Sequence, residues 1–338
     1  MDAFLQRVWY ERHAQWFSLL LLPLSWLFAA VVACRRGAYR NGWLRSHRVA
    51  RPVLVVGNIT VGGTGKTPMT IRLAQQLQAR GLRVGIVLRG YGGQSTQWPC
   101  DVTNDTSWEQ TGDESVLLAQ RTGALVVAGP DRVAAAERAI ERGAQIVVCD
   151  DGLQHYRLAR DGEIAVIDER RGLGNRRLLP AGPLREPVSR LATVDLQVLT
   201  RRSGASTNIA AVDAVVATAV LGDAVSIGSG ERRGLQSFAG KAVHAVAGIG
   251  NPQAFFDALR ALGLRVQPHP LPDHARISAS DISFADGAPV LMTEKDAVKC
   301  RAIAGNDCWA VRMDVAMSAA DAQRVERLID KLLAPSTR

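Results

Sequence analysis

Val53-Leu54-Val55-Val56-Gly57-Asn58 runs straight into Ile59-Thr60-Val61-Gly62-Gly63-Thr64-Gly65-Lys66-Thr67-Pro68. A short apolar run that empties into a glycine-rich turn ending Gly-Lys-Thr, and then opens a helix, leaves few folds open. It is what a nucleoside triphosphate site requires. Glycines let backbone N–H groups close around phosphate oxygens, and a lysine neutralises the β- and γ-phosphates. A threonine hydroxyl reaches Mg²⁺, and the helix N-terminus adds its partial positive charge. Thr60, Val61, Gly62, Gly63, Thr64, Gly65, Lys66, Thr67 and Pro68 are therefore the candidate nucleotide-binding residues. The loop departs from the usual pattern at its first position, Thr60, and Gly62 and Gly63 supply the flexibility instead.

The rest of the chain repeats the alternation. Val53–Val56, Val84–Leu88, Leu125–Val127, Ile146–Cys149, Ile164–Ile167 and Leu196–Leu199 read as buried strands. Met69–Arg80, Glu114–Arg121 and Arg132–Arg142 carry helical spacing between them. Strand–helix alternation predicts an α/β fold: a phosphate-loop NTPase-like, mostly parallel sheet flanked by helices. Ala214–Ile227, flanked by Ser/Gly clusters, reads as a pair of extended segments connecting to a smaller second α/β unit. That unit has strands at Ala242–Val246, Pro289–Met292 and Trp309–Val311, and helices at Gln253–Leu262 and Ala319–Leu333. Gly248-Ile249-Gly250 between its first strand and helix lacks a third glycine and reads as a tight turn. The expected division is 1–48 for a membrane helix and basic connector, 49–205 for the phosphate-loop kinase domain, 206–240 for the interdomain connection and 241–338 for the C-terminal α/β domain.

Trp16 to Ala33 is eighteen residues without a charge. At ~1.5 Å per residue it spans roughly 27 Å, close to the thickness of bilayer hydrocarbon. A cleavable signal would strand the nucleotide site where ATP is absent, and a buried soluble helix is the plain alternative. The favoured reading is an N-terminal membrane helix, crossing or dipping into one leaflet. Arg35, Arg36, Arg40, Arg45, Arg48 and Arg51 follow it, against Arg7 and Arg12 before it, which places the main body in the cytoplasm. The net charge of +9 over 338 residues suits an anionic lipid surface or a phosphorylated substrate. No nucleic acid is expected, because the arginines are dispersed and no aromatic-interleaved basic module occurs. Five cysteines with no Cys-x-x-Cys pair read as free thiols.

Ile146-Val147-Val148-Cys149-Asp150-Asp151 ends an apolar strand in two carboxylates, where phosphate-loop enzymes place a Mg²⁺-controlling acid; a turn cap before Gly152 is the alternative. Gln154 and His155 follow. Gly112-Asp113-Glu114 opens a helix, so capping and chemistry compete for Asp113. Pro272-Asp273-His274 sits in a loop, where an Asp beside a His can orient an imidazole for deprotonating a hydroxyl, or simply be solvated. Thr293-Glu294-Lys295-Asp296 lacks the Lys-x-Asp spacing of guanine recognition, which favours ATP over GTP.

These motifs together resemble the tetraacyldisaccharide 4′-kinases, the lipid A 4′-kinases of Gram-negative bacteria. The resemblance runs through the phosphate loop from Val56 to Pro68, Leu88-Arg89-Gly90-Tyr91-Gly92, Gly112-Asp113-Glu114 and Asp150-Asp151-Gly152-Leu153-Gln154-His155. It continues through Leu179-Pro180-Ala181-Gly182-Pro183-Leu184-Arg185-Glu186, Pro272-Asp273-His274 and Thr293-Glu294-Lys295-Asp296-Ala297-Val298-Lys299. It implies transfer of the γ-phosphate of ATP to the 4′-hydroxyl of a membrane-embedded tetraacyldisaccharide 1-phosphate, giving lipid IVA, with ATP and Mg²⁺ as cofactors. It implies Lys66 and Thr67 at the phosphates and metal, and Asp113 as base with His274 and Asp273. Glu114, Asp150 and Asp151 are implied near the metal, and Arg89, Gln154 and His155 near the substrate. The implied place is the cytoplasmic face of the bacterial inner membrane, with its lipids as partners. Ala275 stands where many relatives carry a polar residue after Asp-His. The rival function is a membrane-associated phosphate-loop ATPase or GTPase switch with no lipid acceptor.

Overall fold

The computed structural model describes residues 3–11, 13, 16–202, 213–273 and 275–334. Helices α1 (Ala3–Tyr10), α2 (Phe17–Leu20) and α3 (Leu22–Arg40) precede the sheet. The first half of the sheet follows as β1 (Val53–Gly57), α4 (Lys66–Ala79), β2 (Val84–Leu88), β3 (Cys100–Val102), α5 (Trp108–Thr111), α6 (Asp113–Thr122), β4 (Leu125–Ala128), α7 (Arg132–Glu141), β5 (Ile146–Asp150), β6 (Gly162–Asp168) and β7 (Leu196–Arg202). The second half comprises β8 (Val215–Ser226), β9 (Arg232–Arg233), β10 (Ala242–Ala247), α8 (Pro252–Ala261), β11 (Arg265–Pro270), β12 (Val290–Thr293), α9 (Glu294–Cys300), β13 (Cys308–Met317) and α10 (Ala319–Leu333).

All the strands among the described residues belong to one sheet, in the order β11-β10-β12-β13-β8-β7-β6-β1-β5-β2-β4-β3, with β9 paired to β8. The pairings are parallel except β3–β4, β8–β9 and β8–β13. Strands β1, β2, β5 and β6 are buried along their whole length. That is why they read as unbroken apolar runs: a parallel sheet is covered on both faces. β1 lies between β5 and β6, and the chain builds outward from it in both directions. Such a reversal leaves a crevice at the carboxyl ends of the strands.

Three expectations change. Ala214–Ile227 is a single twelve-residue strand rather than two segments, parallel to β7 on one side and antiparallel to β13 on the other. It carries the sheet through the region expected to be a connection. Residues 203–212 lie outside the described ones. Helix α10 was expected to complete the second unit, yet Val325, Leu328, Ile329 and Leu332 pack into the core that holds Leu54, Ile164 and Val166 of the first half.

The third change is the N-terminal membrane helix. The apolar stretch is broken at Leu21, which ends α2, and α3 restarts with Pro23 in its first turn. Arg35, Arg36 and Arg40 then occupy its later turns. No helix among the described residues is long and apolar enough to cross a membrane. The burial of this region is inverted. Ser18 and Ser25 are its buried residues, Ser25 donating to Leu178 O at 2.8 Å and Ser18 accepting from Arg177. Leu19, Leu20, Leu24, Trp26, Leu27 and Val31 are each more than half exposed, Leu20 at 72%. In α1, Trp9 is buried and donates from Nε1 to Pro180 O at 2.9 Å.

The packing of α10 is testable. Ile329 is fully buried in the first-half core. Ile329→Ala should lower the stability of the protein by about 2–4 kcal/mol in urea unfolding, the usual cost of such a cavity; a loss under 1 kcal/mol would mean the helix does not help to hold that core.

Candidate active site

Gly65 precedes α4 in a left-handed conformation, φ +82°, as only glycine does without strain. A Cβ there would also come within 2.9 Å of Thr200 Cγ2. Thr200 in turn holds the loop, its hydroxyl donating to Thr64 O at 2.8 Å. From the other side, the buried Asn58 donates to Thr64 Oγ1 at 3.1 Å and to Gly62 O at 3.4 Å. Gly62, Gly63, Thr64, Gly65, Lys66, Thr67 and Pro68 line a cavity of about 1090 Å³. Thr60 and Val61 do not. Thr60 pairs with Leu184 in an isolated antiparallel bridge, and Val61 N–H donates to Pro183 O at 2.9 Å. They anchor the loop to the Leu179–Glu186 segment.

Asp150 and Asp151, at the end of β5, reach the same cavity. Lys66 Nζ lies 3.5 Å from Asp151 Oδ1, and Arg185 Nη1 lies 3.1 Å from Asp151 Oδ2. Against burial, these two cations hold the Asp151 carboxyl below the usual range. Asp150 is fully enclosed and accepts from Thr70 Oγ1 at 3.0 Å. Its carboxyl is pushed up to about 7 by burial first, then by Glu114 and Asp151, against the pull of Lys66. Neither acid acts simply as a turn cap. Arg132, buried at the start of α7, also faces the cavity; burial lowers its pKa, and its Nε has no hydrogen-bond partner among the described residues.

Asp113 is not the helix cap. Gly112 takes that place at φ +88°, and the Asp113 carboxylate turns to Lys299 Nζ, 3.5 Å away. Lys299 also lies 3.3 Å from Asp296 Oδ1, and both side chains are buried. Helix α9 thus meets α6 through charge: Glu294 Oε2 accepts from Arg121 at 2.5 Å, and Lys295 Nζ lies 3.3 Å from Glu114 Oε1. Glu114 and Asp273 line the cavity, whereas Asp113 does not. His274 lies outside the described residues.

Arg89, Gln154 and His155 line it as well. Gln154 Nε2 donates to Asn58 O at 3.0 Å and to Glu186 Oε1 at 2.8 Å. His155 is pushed down to about 4 by burial, then by the cation Arg132, so its imidazole is neutral at physiological pH. Glu186 is also held by Tyr156 and lies 3.8 Å from Arg36 of α3. Sequence reasoning gave no role to Arg132, Arg185 or Glu186. Only the Leu179–Glu186 motif flagged the last two, and Arg132 carries no local signal.

Fold and loop together define a phosphate-loop NTPase-like α/β protein. The sequence profile of a family described as LpxK, tetraacyldisaccharide-1-P 4′-kinase, matches residues 17–334. A tetraacyldisaccharide 4′-kinase of Ectopseudomonas mendocina is 48% identical over 331 residues, covering 97% of each chain. One from Nitrosococcus oceani is 47% identical over 332 residues, covering 98% of this chain and 95% of its own. The crystal structure of LpxK from Aquifex aeolicus in complex with ATP superposes with a TM-score of 0.79 at 30% identity, covering 94% of this chain and 99% of that one. The chain belongs to the tetraacyldisaccharide 4′-kinase family.

The enclosed Asp150 generates a prediction. Its native carboxyl keeps a proton up to about pH 7, whereas an unfolded aspartate releases it near the ordinary value of 3.8. The native state therefore binds the extra proton between those values, and stability present at low pH is lost as pH rises towards 7. Asp150→Asn should stabilise the nucleotide-free protein at pH 8 by up to ~4 kcal/mol, at about 1.4 kcal/mol per unit. The gain should vanish near pH 4. Urea unfolding at the two pH values checks this, and a gain independent of pH would contradict it.

Proposed function

We propose that this chain transfers the γ-phosphate of ATP to the 4′-hydroxyl of a tetraacyldisaccharide 1-phosphate at the cytoplasmic face of the bacterial inner membrane. Family membership makes it a tetraacyldisaccharide 4′-kinase that forms lipid IVA in lipid A biosynthesis. The observation that carries the finer reading is one cavity with two chemistries. The phosphate loop and strand-end acids line one part of it, and Phe28, Val31 and Val32 of α3 line another, with Arg35 beside them. A lipid sugar needs that adjacency.

In this reading the Gly62–Gly65 backbone, the N-terminus of α4 and Lys66 hold the ATP phosphates. Mg²⁺ would be held by the hard oxygens of Thr67, Glu114, Asp150 and Asp151, which among the described residues do not already form a three-acid metal group. A divalent cation there would offset the burial and the neighbouring carboxylates that together raise Asp150. When bound, Mg²⁺ neutralises charge on the transferring phosphate. Asp113, which does not itself line the cavity, acts as the base through a relay with His274 and Asp273, and Asp273 lines the cavity where the 4′-hydroxyl would sit. Arg89, Gln154 and the neutral His155 bind the sugar. Helix α3 lies in the membrane interface with its apolar face outward, instead of spanning the bilayer, and the arginines that follow meet anionic head groups.

Two measurements test this. Lys66→Ala should lower label transfer from γ-labelled ATP to the acylated disaccharide 1-phosphate by about 100-fold or more, with the fold intact by circular dichroism; retention of a third of the rate would remove Lys66 from the site. The triple change Leu20→Ser, Trp26→Ser and Leu27→Ser should reduce co-sedimentation with anionic vesicles by about tenfold, since buried apolar area sets such binding, and leave ATP binding unchanged. Unaltered sedimentation would place the membrane contact elsewhere.

A further inference from the structure

Helix α9 opens with Glu294-Lys295-Asp296 and carries Lys299 one turn later. Three of these four charges have internal work. Glu294 is bound by Arg121 and by the Met313 N–H at 2.9 Å. Asp296, fully buried, accepts from Gly248 N–H at 2.9 Å and from Thr293 Oγ1 at 2.6 Å. Lys299 bridges Asp296 and Asp113. These contacts fix the helix at the carboxyl end of β12. Glu294 and Lys295 both line the cavity that the phosphate loop lines, and of the two Lys295 brings a positive charge to it.

The Lys295 ammonium lies 3.3 Å from Glu114 Oε1, with only 18% of the side chain exposed. Burial alone would lower its pKa, yet Glu114, Asp113 and Asp273 raise it. The ammonium, largely enclosed and kept protonated by these carboxylates, offers positive charge to the cavity that the phosphate loop lines. Glu114 is also the acid read above as a metal-holding group. Were Glu114 to hold a metal, the Lys295 ammonium beside it could turn to phosphate oxygens on the same wall of the cavity.

We propose that Lys295 is a catalytic residue of the phosphoryl transfer, a cation that the second half of the sheet contributes to the γ-phosphate of ATP. This rests on the kinase reading above. Lys66 comes from β1 and α4, at the root of the phosphate loop, whereas Lys295 comes from the end of β12. The two ammonium groups therefore approach the phosphates from different strands. In the transfer, the bond from the γ-phosphorus to the ADP oxygen breaks as the bond to the sugar 4′-oxygen forms, and the hydroxyl proton passes through the relay to Asp113. Charge meanwhile spreads over the three equatorial oxygens of the moving group. A fixed ammonium at those oxygens stabilises that spread more than it stabilises the ground state.

The test compares Lys295→Met and Lys295→Arg with the parent chain, measuring calorimetric binding of Mg·ATP and of Mg·ADP without lipid, and turnover with the acylated disaccharide 1-phosphate. Lys295→Met should weaken ATP at least fivefold more than ADP and lower kcat by roughly 100- to 1,000-fold. Lys295→Arg, which keeps the charge, should recover much of the preference for ATP. Equal weakening of both nucleotides, or none, would overturn the proposal and leave Lys295 as a support for Glu114. Failure of the parent chain to phosphorylate the lipid would instead count against the kinase reading, while the ATP-to-ADP comparison would still decide the role of Lys295. Thermal unfolding of each variant separates a lost fold from a lost contact. If Lys295→Met does not fold, Lys295→Gln takes its place under the same criteria.

Discussion

The antiparallel pairing of β8 with β13 holds the molecule together. Eight residue pairs from Ala217–Met317 to Ser226–Trp309 join a parallel array that carries the phosphate loop to a second array that carries α8 and α9. Because β8 is also parallel to β7, the backbone hydrogen bonding passes from one array to the other without an edge. An exposed edge at that point would leave a row of unpaired backbone groups. Strand ends from both halves can then face one cavity at fixed spacing, and α10 reinforces the arrangement by crossing from the end of β13 onto the first-half core. A bulge between Val311 and Met313 interrupts the pairing beside Glu294, whose carboxylate takes the Met313 N–H.

Charge completes what the sheet begins. The seam between α6 and α9 is built from ion pairs with little exposed surface, among them Arg121–Glu294 and Lys299–Asp113. Removing one partner of such a pair leaves a buried charge uncompensated, so the seam specifies a single seating of the two helices. Asp113 and Glu114 sit at the first turn of α6 and inherit that seating. On the opposite wall, Glu186 gathers Gln154, Tyr156 and Arg190 around one carboxylate, which ties the segment after β5 to the Leu179–Glu186 loop and, through Arg36, to α3.

Much of this was legible in the sequence wherever one physical rule acted alone. Strands β1, β2, β5 and β6 are covered on both faces, so their apolar runs are continuous. Asp150 ends β5 and Asp151 follows it, Lys66 and Thr67 open α4 after the loop from β1, and topology brings strand ends together. Legibility failed where two rules conflicted. β8 contains Thr218, Gly222 and Asp223 because parts of it face away from the core, and it therefore looked like two pieces. β11 was not foreseen, since Pro268 and Pro270 argue against a strand; as an edge strand it tolerates them. Arg132 stands far in sequence from the acids it joins. The N-terminal stretch misled because hydrophobic length suggested a span, while the deciding facts were a break at Leu21 and serines that face the protein.

The inverted helix α3 also sets a distance. One side of it, with Phe28 and Val32, forms part of the cavity wall, and the other side presents leucines and tryptophan outward. A helix with its side chains is about 10–12 Å across. A substrate whose acyl chains stay among lipids therefore needs to lift its sugar by about one helix width to meet the phosphate. With α3 resting on lipid as proposed, the acyl chains can stay outside the cavity, and the encounter is confined to a thin layer where lateral diffusion replaces capture from bulk water.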